Sequence, residues 1–387
     1  MASHRSDSPD GVTRLLSELV QINSINPAFS GGKTDERAIA SFVAEWLDRI
    51  GLAVTSYEPE PGRMSVVGRR AGTGAGKSLM LYAHLDTVGV GEMAEPFSGA
   101  VRDGRVYGRG AYDMKSGLAA CMQAAHDLAD RDLAGDVLVV AVADEETESV
   151  GMQEVLRYVH TDAAIVTEPT DLGICLAHKG FCWVEVETTG RAAHGSRFDL
   201  GVDANMRMGL FLAALDGLER ELRARDPHPL VGPPSLHVGL LAGGTGPSIY
   251  AARSRAEIER RTIPGETEQQ VVREIEHVVH QLAAVDPDFR AAVRALLWRD
   301  PFGVDQDAAI VRAVADAATA VLGSPPAYGG QTPWMDAAFL QAAGIETVVL
   351  GASGAGAHAA EEWVDLESVR NLSAILVAAA TAYCGRD

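Results

Sequence analysis

Three short apolar runs, Leu79–His84, Val137–Ala143 and Ala163–Val166, are of strand-forming type, and each ends in a histidine or leads directly into carboxylates. Patterns of helical period, Lys115–Leu128 and Val150–Val159, lie between them. Strands alternating with helices restrict this part of the chain to an α/β layer. Open sheets of that kind place ligands in the crevice beyond their strand ends, so chemistry is sought there first.

At 387 residues the chain is long enough for two domains. Before the first apolar run, residues Ile39, Phe42, Val43, Trp46, Leu47 and Ile50 predict a helix over Thr34–Ile50, with Thr34 as N-cap and Gly51 as its stop. Strands are expected at Ala53–Tyr57 and Met64–Val67. Near Lys179–Gly180 the pattern changes. Phe181–Thr188 alternates with period two, a helix follows at Ala204–Leu222, then strands at Ser235–Leu241 and Arg253–Arg260, a helix at Glu268–Ala284 and a strand at Ala291–Leu297. That β-α-β-β-α-β order predicts an inserted ferredoxin-like domain over 180–298. Residues 1–179 and 299–387 then form one domain, the latter stretch supplying helices at Ala308–Leu322, Asp336–Ala343 and Leu366–Tyr383 and a strand at Thr347–Leu350.

The chain carries 33 Lys and Arg against 53 Asp and Glu, a net charge of −20, which disfavours nucleic acid and anionic lipid as partners. No apolar run reaches the ~18 residues of a membrane span, and Met1–Asp10 shows no export signal, so a cytoplasmic location is expected. Cys121, Cys175, Cys182 and Cys384 lack metal-ribbon spacing and are expected as reduced, mostly buried thiols. Lys77-Ser78 suggests a phosphate loop, but Ala71 stands where its first glycine belongs and a strand comes next, so Arg70–Ser78 is expected as a solvated hairpin-like turn.

The candidate chemistry begins with His84-Leu85-Asp86. In extended backbone positions i and i+2 point the same way, so Asp86 can reach the imidazole of His84 and fix its tautomer. Asp113 is next, flanked by glycines at a helix entrance, where by itself it reads as a cap. Asp144-Glu145-Glu146-Thr147-Glu148 directly succeeds an apolar strand; neighbouring Glu145 and Glu146 can point to different sides of a site, one ligating metal and one holding water. Glu168 ends another strand, and a glycine-rich loop containing Gly354 leads to His358 and then to Glu361 and Glu362. Together these form an N/O donor set suited to zinc or another divalent first-row ion.

The motifs HLD, GRGAYDMKSG, DEET, TEP, AAHGS and GAGAHAAEEW occur in this order over nearly the whole chain. In them the chain resembles the metallopeptidase family that contains acetylornithine deacetylase, succinyl-diaminopimelate desuccinylase, aminoacylase and glutamate carboxypeptidase. The resemblance implies a mixed-sheet zinc-peptidase-like catalytic domain with an inserted lid and dimerisation domain. It implies two divalent metal ions, zinc or cobalt, bridged by Asp113, with His84 and Glu168 completing one and Glu146 and His358 the other. Glu145 is then the general base, which takes a proton from the attacking water and passes it to the departing amine; Asp86 orients His84. His194, in Ala192–Ser196, stabilises the oxyanion, often from the other subunit of a homodimer, although His194-Gly195-Ser196 also reads as an ordinary turn. Arg261 holds the substrate carboxylate, and Asp336 and Gly354 join the substrate contacts.

The chain departs from the family pattern at two places. Gly243-Gly244-Thr245-Gly246-Pro247-Ser248 lacks the asparagine many relatives carry after paired glycines, with Ser248 as its replacement, and Met335-Asp336-Ala337 stands where Thr-Asp-Ala is usual. Glu168 accords with deacylases and carboxypeptidases, since relatives acting on free amino termini tend to carry Asp there. The activity implied is hydrolysis of a small N-acyl amino acid or related carboxylate-bearing amine. A carboxypeptidase or dipeptidase acting on a short peptide is the second reading, and a non-catalytic dimeric binding protein the third.

Overall fold

The computed structural model describes residues 10–385. The chain forms two compact units: one takes residues up to Leu176, Val304–Gly329 and from Met335 onward, the other Ala177–Gly303 and Gly330–Trp334. The short return segment 330–334 has no signal in the hydropathy pattern.

In the first unit the strands run in the order Ala53–Tyr57, Ser65–Arg70, Val137–Val142, Leu79–His84, Ala163–Val166, Glu346–Val349 and Ile174–His178. The four from Val137–Val142 to Glu346–Val349 are mutually parallel, and antiparallel neighbours flank them, giving a mixed sheet. Val137–Val142, Leu79–His84 and Ala163–Val166 are buried at every position. Continuous Val, Leu, Ile and Ala suits strands covered on both faces, as parallel strands must be. Because these strands are parallel and in register, with His84 opposite Val142 and Tyr82 opposite Val166, their carboxyl ends emerge at one edge. The residues just beyond the strands are thereby brought together.

Helix Lys115–Asp127 packs on Leu79–His84 and on Leu366–Cys384, and Gly11–Gln21, a helix not expected above although Val12, Leu15, Leu16, Leu19 and Val20 recur at helical spacing, packs on the same helix. A second small sheet joins Gly354–Ala355, Trp363–Asp365, Arg105–Tyr107 and Ala100–Arg102. Its strands are too short to show a period, yet the pairing of Trp363 with Tyr107 draws the loop before Trp363 beside the loop after Tyr107.

Two local expectations are corrected. The early helix runs Arg37–Arg49 with Glu36 at its N-cap position, while the Thr34 hydroxyl donates to the Ile25 carbonyl at 2.6 Å instead of capping. Gly51, at φ +86°, does stop it. Arg70–Ser78 is no hairpin: Ser65–Arg70 and Leu79–His84 lie on opposite sides of Val137–Val142. The turn instead docks on the chain at Leu133–Ala134 through the Thr73 and Gly74 amides.

The second unit comprises, in chain order, Gly180–Thr189, Ala204–Ala224, Ser235–Gly243, Arg253–Thr262, Glu268–Val285 and Ala291–Arg299. Its antiparallel sheet is ordered Ser235–Gly243, Arg253–Thr262, Gly180–Thr189, Ala291–Arg299. Alternate residues Cys182, Val184 and Val186 enter a core with Phe211, Leu215, Ile258 and Ile275. Asp203 caps one helix, and Thr267 with Gln270 forms a capping box on the other. All four cysteines are buried and outside any disulfide, and no helix of the described residues is long and apolar enough to cross a membrane.

Helix Lys115–Asp127 approaches the strand end that carries Glu168 so closely that a Cβ on Gly117 would lie 2.4 Å from Thr167 Oγ1 and 2.5 Å from the Thr167 carbonyl oxygen. Helix propensity alone favours Gly117→Ala by about 1 kcal/mol, whereas overpacking against backbone costs about 1–3 kcal/mol. The substitution is therefore expected to lower stability in urea unfolding; a stabilised variant would show that the helix has room to shift.

Candidate metal centre

The edge formed by the parallel strand ends gathers His84, Glu145, Glu146 and Glu168. His84 is the last residue of its strand and 1% exposed. Its Nδ1 lies 2.9 Å from the main-chain carbonyl of Asp86 and 3.6 Å from that residue's Oδ1, so the carbonyl is the nearer partner that sets the ring. The Asp86 carboxylate instead accepts the peptide N–H groups of Glu145 at 3.1 Å and Glu146 at 3.2 Å, and the Asn26 amide at 2.8 Å. The expected link from Asp86 to His84 is thus joined by a second task, holding the two glutamates.

Asp113 does not cap the succeeding helix, whose N-cap position is Met114. Its Oδ1 lies 3.2 Å from His84 Nε2 and its Oδ2 lies 3.4 Å from His358 Nε2. One carboxylate therefore faces two imidazoles, one through each oxygen. Glu168 Oε1 is 3.7 Å from His84 Nε2, and Glu146 is 3.2 Å from His358 Nε2. Ligand atoms of His84, Glu145 and Glu168, and those of His84, Asp113 and Glu146, lie within 4.8 Å of one another. His358 is held at φ +62°, a region unfavourable for a side-chain-bearing residue.

Four carboxylates sharing two imidazoles carry excess negative charge, and the titration of the cluster reflects it. Burial pushes Glu145 well above the usual carboxylate range, with the charge of Glu168 adding to it. Glu168 is raised likewise, by burial and then by Asp113. Burial also raises Glu146, with His358 offsetting part of the effect. Asp113 moves the other way: burial would raise it, but its bonds to His358 and His84 outweigh that and lower it. For His84, burial opposes protonation, yet the bond to Asp113 and the charges of Glu168 and Glu145 raise it well above an ordinary imidazole. Bonds to Asp113 and Glu146 lift His358 to about 10. The residues thus hold protons where cations would neutralise them, and the oxygen and imidazole donors suit a divalent first-row ion. A potential dinuclear metal-binding cluster is present.

Behind the cluster lies a layer of buried charge whose pairing the sequence does not show. Arg63 bonds Glu36 at 2.6 Å and Asp144 at 2.8 Å, and the Asn26 amide bridges Asp86 and Asp144. Burial, with the charge of Asp86, pushes Glu36 up to about 8 despite Arg63. Arg109 and Glu362 pair at 2.6 Å, both 2% exposed. Asp86, Arg109, Asp144 and Glu362 stand inside the motifs quoted above, whereas Asn26, Glu36 and Arg63 lie outside them.

Asp336, expected to touch substrate, is fully buried, and its Oδ2 accepts the Tyr82 hydroxyl at 2.7 Å. Burial raises it to about 6. At Gly354 a Cβ would lie 2.4 Å from the Trp363 carbonyl oxygen and 2.6 Å from the Tyr112 ring, so the absence of a side chain serves loop packing. His194, Ser248 and Arg261 belong to the second unit. There the Gly195 amide donates to the Ser248 carbonyl at 2.7 Å and Tyr250 to Ala193 at 3.0 Å, which brings the His194 and Ser248 loops together. His194 is exposed, with Nδ1 2.8 Å from Ser196 Oγ. Arg261 is half-buried, 2.7 Å from Glu259 and stacked over Phe181.

Because His84, His358, Glu145 and Glu168 all hold protons above their ordinary ranges, a cation enters only as protons leave. Affinity for a divalent metal should therefore rise with pH, by up to about tenfold per pH unit for each proton displaced. Calorimetric titration of metal-free protein at about pH 6 and about pH 8 measures both affinity and proton release; equal affinities without release would contradict this electrostatic picture.

A model of peptidase family M20/M25/M40 matches residues 80–382. An acetylornithine deacetylase of Myxococcus xanthus is 31% identical over 340 residues, covering 84% of this chain and 85% of that protein. An N-formyl-4-amino-5-aminomethyl-2-methylpyrimidine deformylase of Bacillus subtilis is 27% identical over 382 residues, covering 90% and 89% of the two chains. The fold is similar to that of a tripeptidase from Staphylococcus aureus, with a TM-score of 0.78 at 21% identity, over 96% of this chain and 98% of that one. The match of the family model to most of the chain and the near full-length relative agree with the clustered His, Asp and Glu donors: the chain belongs to peptidase family M20/M25/M40.

Proposed function

We propose that the protein is a metal-dependent amidohydrolase that removes an acyl group from an N-acyl amino acid or a related carboxylate-bearing amine. The observation that carries this reading is Asp113, whose two oxygens face different histidines, with Glu145 beside the same cluster. Asp113 with His84 and Glu168 would hold one cation, and Asp113 with Glu146 and His358 the other, zinc being the expected metal and cobalt the alternative. Bound divalent cations supply Lewis acidity, acidifying water and polarising an amide carbonyl. Glu145, raised by burial, takes the proton of the attacking water and delivers it to the amine nitrogen as the C–N bond breaks, leaving a carboxylate and an amine. His194 stabilises the oxyanion, Arg261 binds the substrate carboxylate through its planar donors, and Ser248 contributes a hydroxyl contact. Relatives named for deacetylation and deformylation support loss of an acyl group.

The experiment is amine release from a panel of N-acetyl amino acids and dipeptides, with and without chelator. N-acetyl substrates should be cleaved in preference to dipeptides, and chelation should abolish turnover; preference for dipeptides would favour a dipeptidase or carboxypeptidase. Glu145→Gln should keep its metal and lose about 10²–10⁴-fold in kcat, whereas Glu146→Gln should lose metal. The reverse pattern would exchange the roles of base and ligand.

The second unit is proposed as a lid and dimerisation domain. Strand Ser235–Gly243 is an edge of its sheet, and Leu240 and Leu241 on it are 60% and 58% exposed, an edge that proteins commonly cover. Pairing with a second copy would cover it. If His194 acts across that interface, mixing inactive His194→Ala and Glu145→Gln subunits regenerates one intact site per mixed dimer and restores activity. No recovery despite demonstrated subunit exchange would place His194 in its own subunit's site or outside catalysis.

A further inference from the structure

We propose that Glu362 is a positioning residue that sets Asp113 and His358 jointly for one of the two cations, an inference that rests on the two-cation reading above. Its carboxylate is enclosed by the loop that carries Asp113. Oε1 accepts the peptide N–H groups of Tyr112 at 2.9 Å and Asp113 at 3.0 Å. Oε2 accepts that of Gly110 at 3.0 Å and the Arg109 guanidinium at 2.6 Å. The main chain repeats the link, since the Gly108 amide donates to the Glu362 carbonyl at 3.1 Å. Arg109 extends it, donating to the Ala359 carbonyl at 2.9 Å and the Gly89 carbonyl at 3.1 Å.

The consequence is mechanical coupling between two ligands far apart in sequence. Glu362 holds the amide of Asp113 itself, and Arg109 holds the residue next to His358. Between them, Gly356 at φ +87° closes the His358 turn, where a Cβ would fall 1.9 Å from the Glu361 carbonyl oxygen. His84 and Glu168 stand at strand ends outside this clamp, which reaches them only through Asp113. Loss of the clamp therefore disturbs the cation held by Glu146 and His358 more than the one held by His84 and Glu168.

Glutamine is the informative substitution because it preserves size. Glu362→Gln leaves one accepting oxygen and turns the other position into an NH2 donor facing peptide N–H groups or the guanidinium, so one side of the clamp becomes repulsive. Metal-free wild type and E362Q are titrated with Co2+ while its visible absorption is monitored, with the melting temperature of each metal-free protein measured alongside. Wild type should bind in two steps. E362Q should show one step weakened about 10–100-fold, as is usual when a partner behind a metal ligand is lost, and the other weakened clearly less, because Asp113 is its sole clamped ligand. Both steps within a few-fold of wild type in a folded variant would overturn the proposal. So would both falling together with the melting temperature, which marks a plain core ion pair. If E362Q fails to fold, Arg109→Lys keeps the charge, removes the reach to Ala359 and Gly89, and is read by the same criteria. A wild-type protein that binds fewer than two ions contradicts the two-cation reading itself, a failure visible before any variant is compared.

Discussion

The repulsion among carboxylates at the end of a buried parallel sheet is the constraint to which the surrounding structure responds. Strands Leu79–His84, Val137–Val142 and Ala163–Val166 are apolar but for Tyr82 and His84 and pair in register through their main chains, so their ends arrive at fixed spacings. At those ends stand His84, the Asp144–Glu146 turn and Glu168. Four acids within reach of one another raise each other's affinity for protons or for cations, and donors fixed at strand ends need no movement to converge.

Crowded charge also needs support from behind. Asp86 restrains the peptide groups of Glu145 and Glu146, and is itself held by Asn26, which reaches Asp144; Arg63 and Glu36 complete that side. On the other side Arg109 and Glu362 fold the Asp113 loop against the His358 loop. Each layer buries charge that is costly if left unpaired, and ligand geometry is correspondingly stiff.

Much of this was legible in the residues. Uninterrupted apolar runs with polar ends marked the parallel strands to within a residue or two, as at Leu79–His84 and Ala163–Val166, and alternating residues marked Phe181–Thr188 inside the strand Gly180–Thr189. Ligand candidates came from the strand ends. The features that escaped depend on pairing between distant segments. Two- and three-residue strands at Gly354–Ala355 and Trp363–Asp365 have no detectable period, although they carry His358 to Asp113. Glu362 and Arg63 look like surface residues until the fold closes over them. Thr34 shows the converse, a plausible cap whose hydroxyl found a tertiary carbonyl instead. Asp336, named as a substrate contact from its motif, has its carboxylate buried and bonded to the Tyr82 hydroxyl, a pairing the sequence does not show.

The edge is proposed as a two-cation site divided by Asp113. Anomalous diffraction from crystals of the protein grown with a divalent transition metal tests it most directly. Two peaks are predicted, one among Asp113, His84 and Glu168 and one among Asp113, Glu146 and His358. A single peak, or metal bound away from Asp113, would contradict the account.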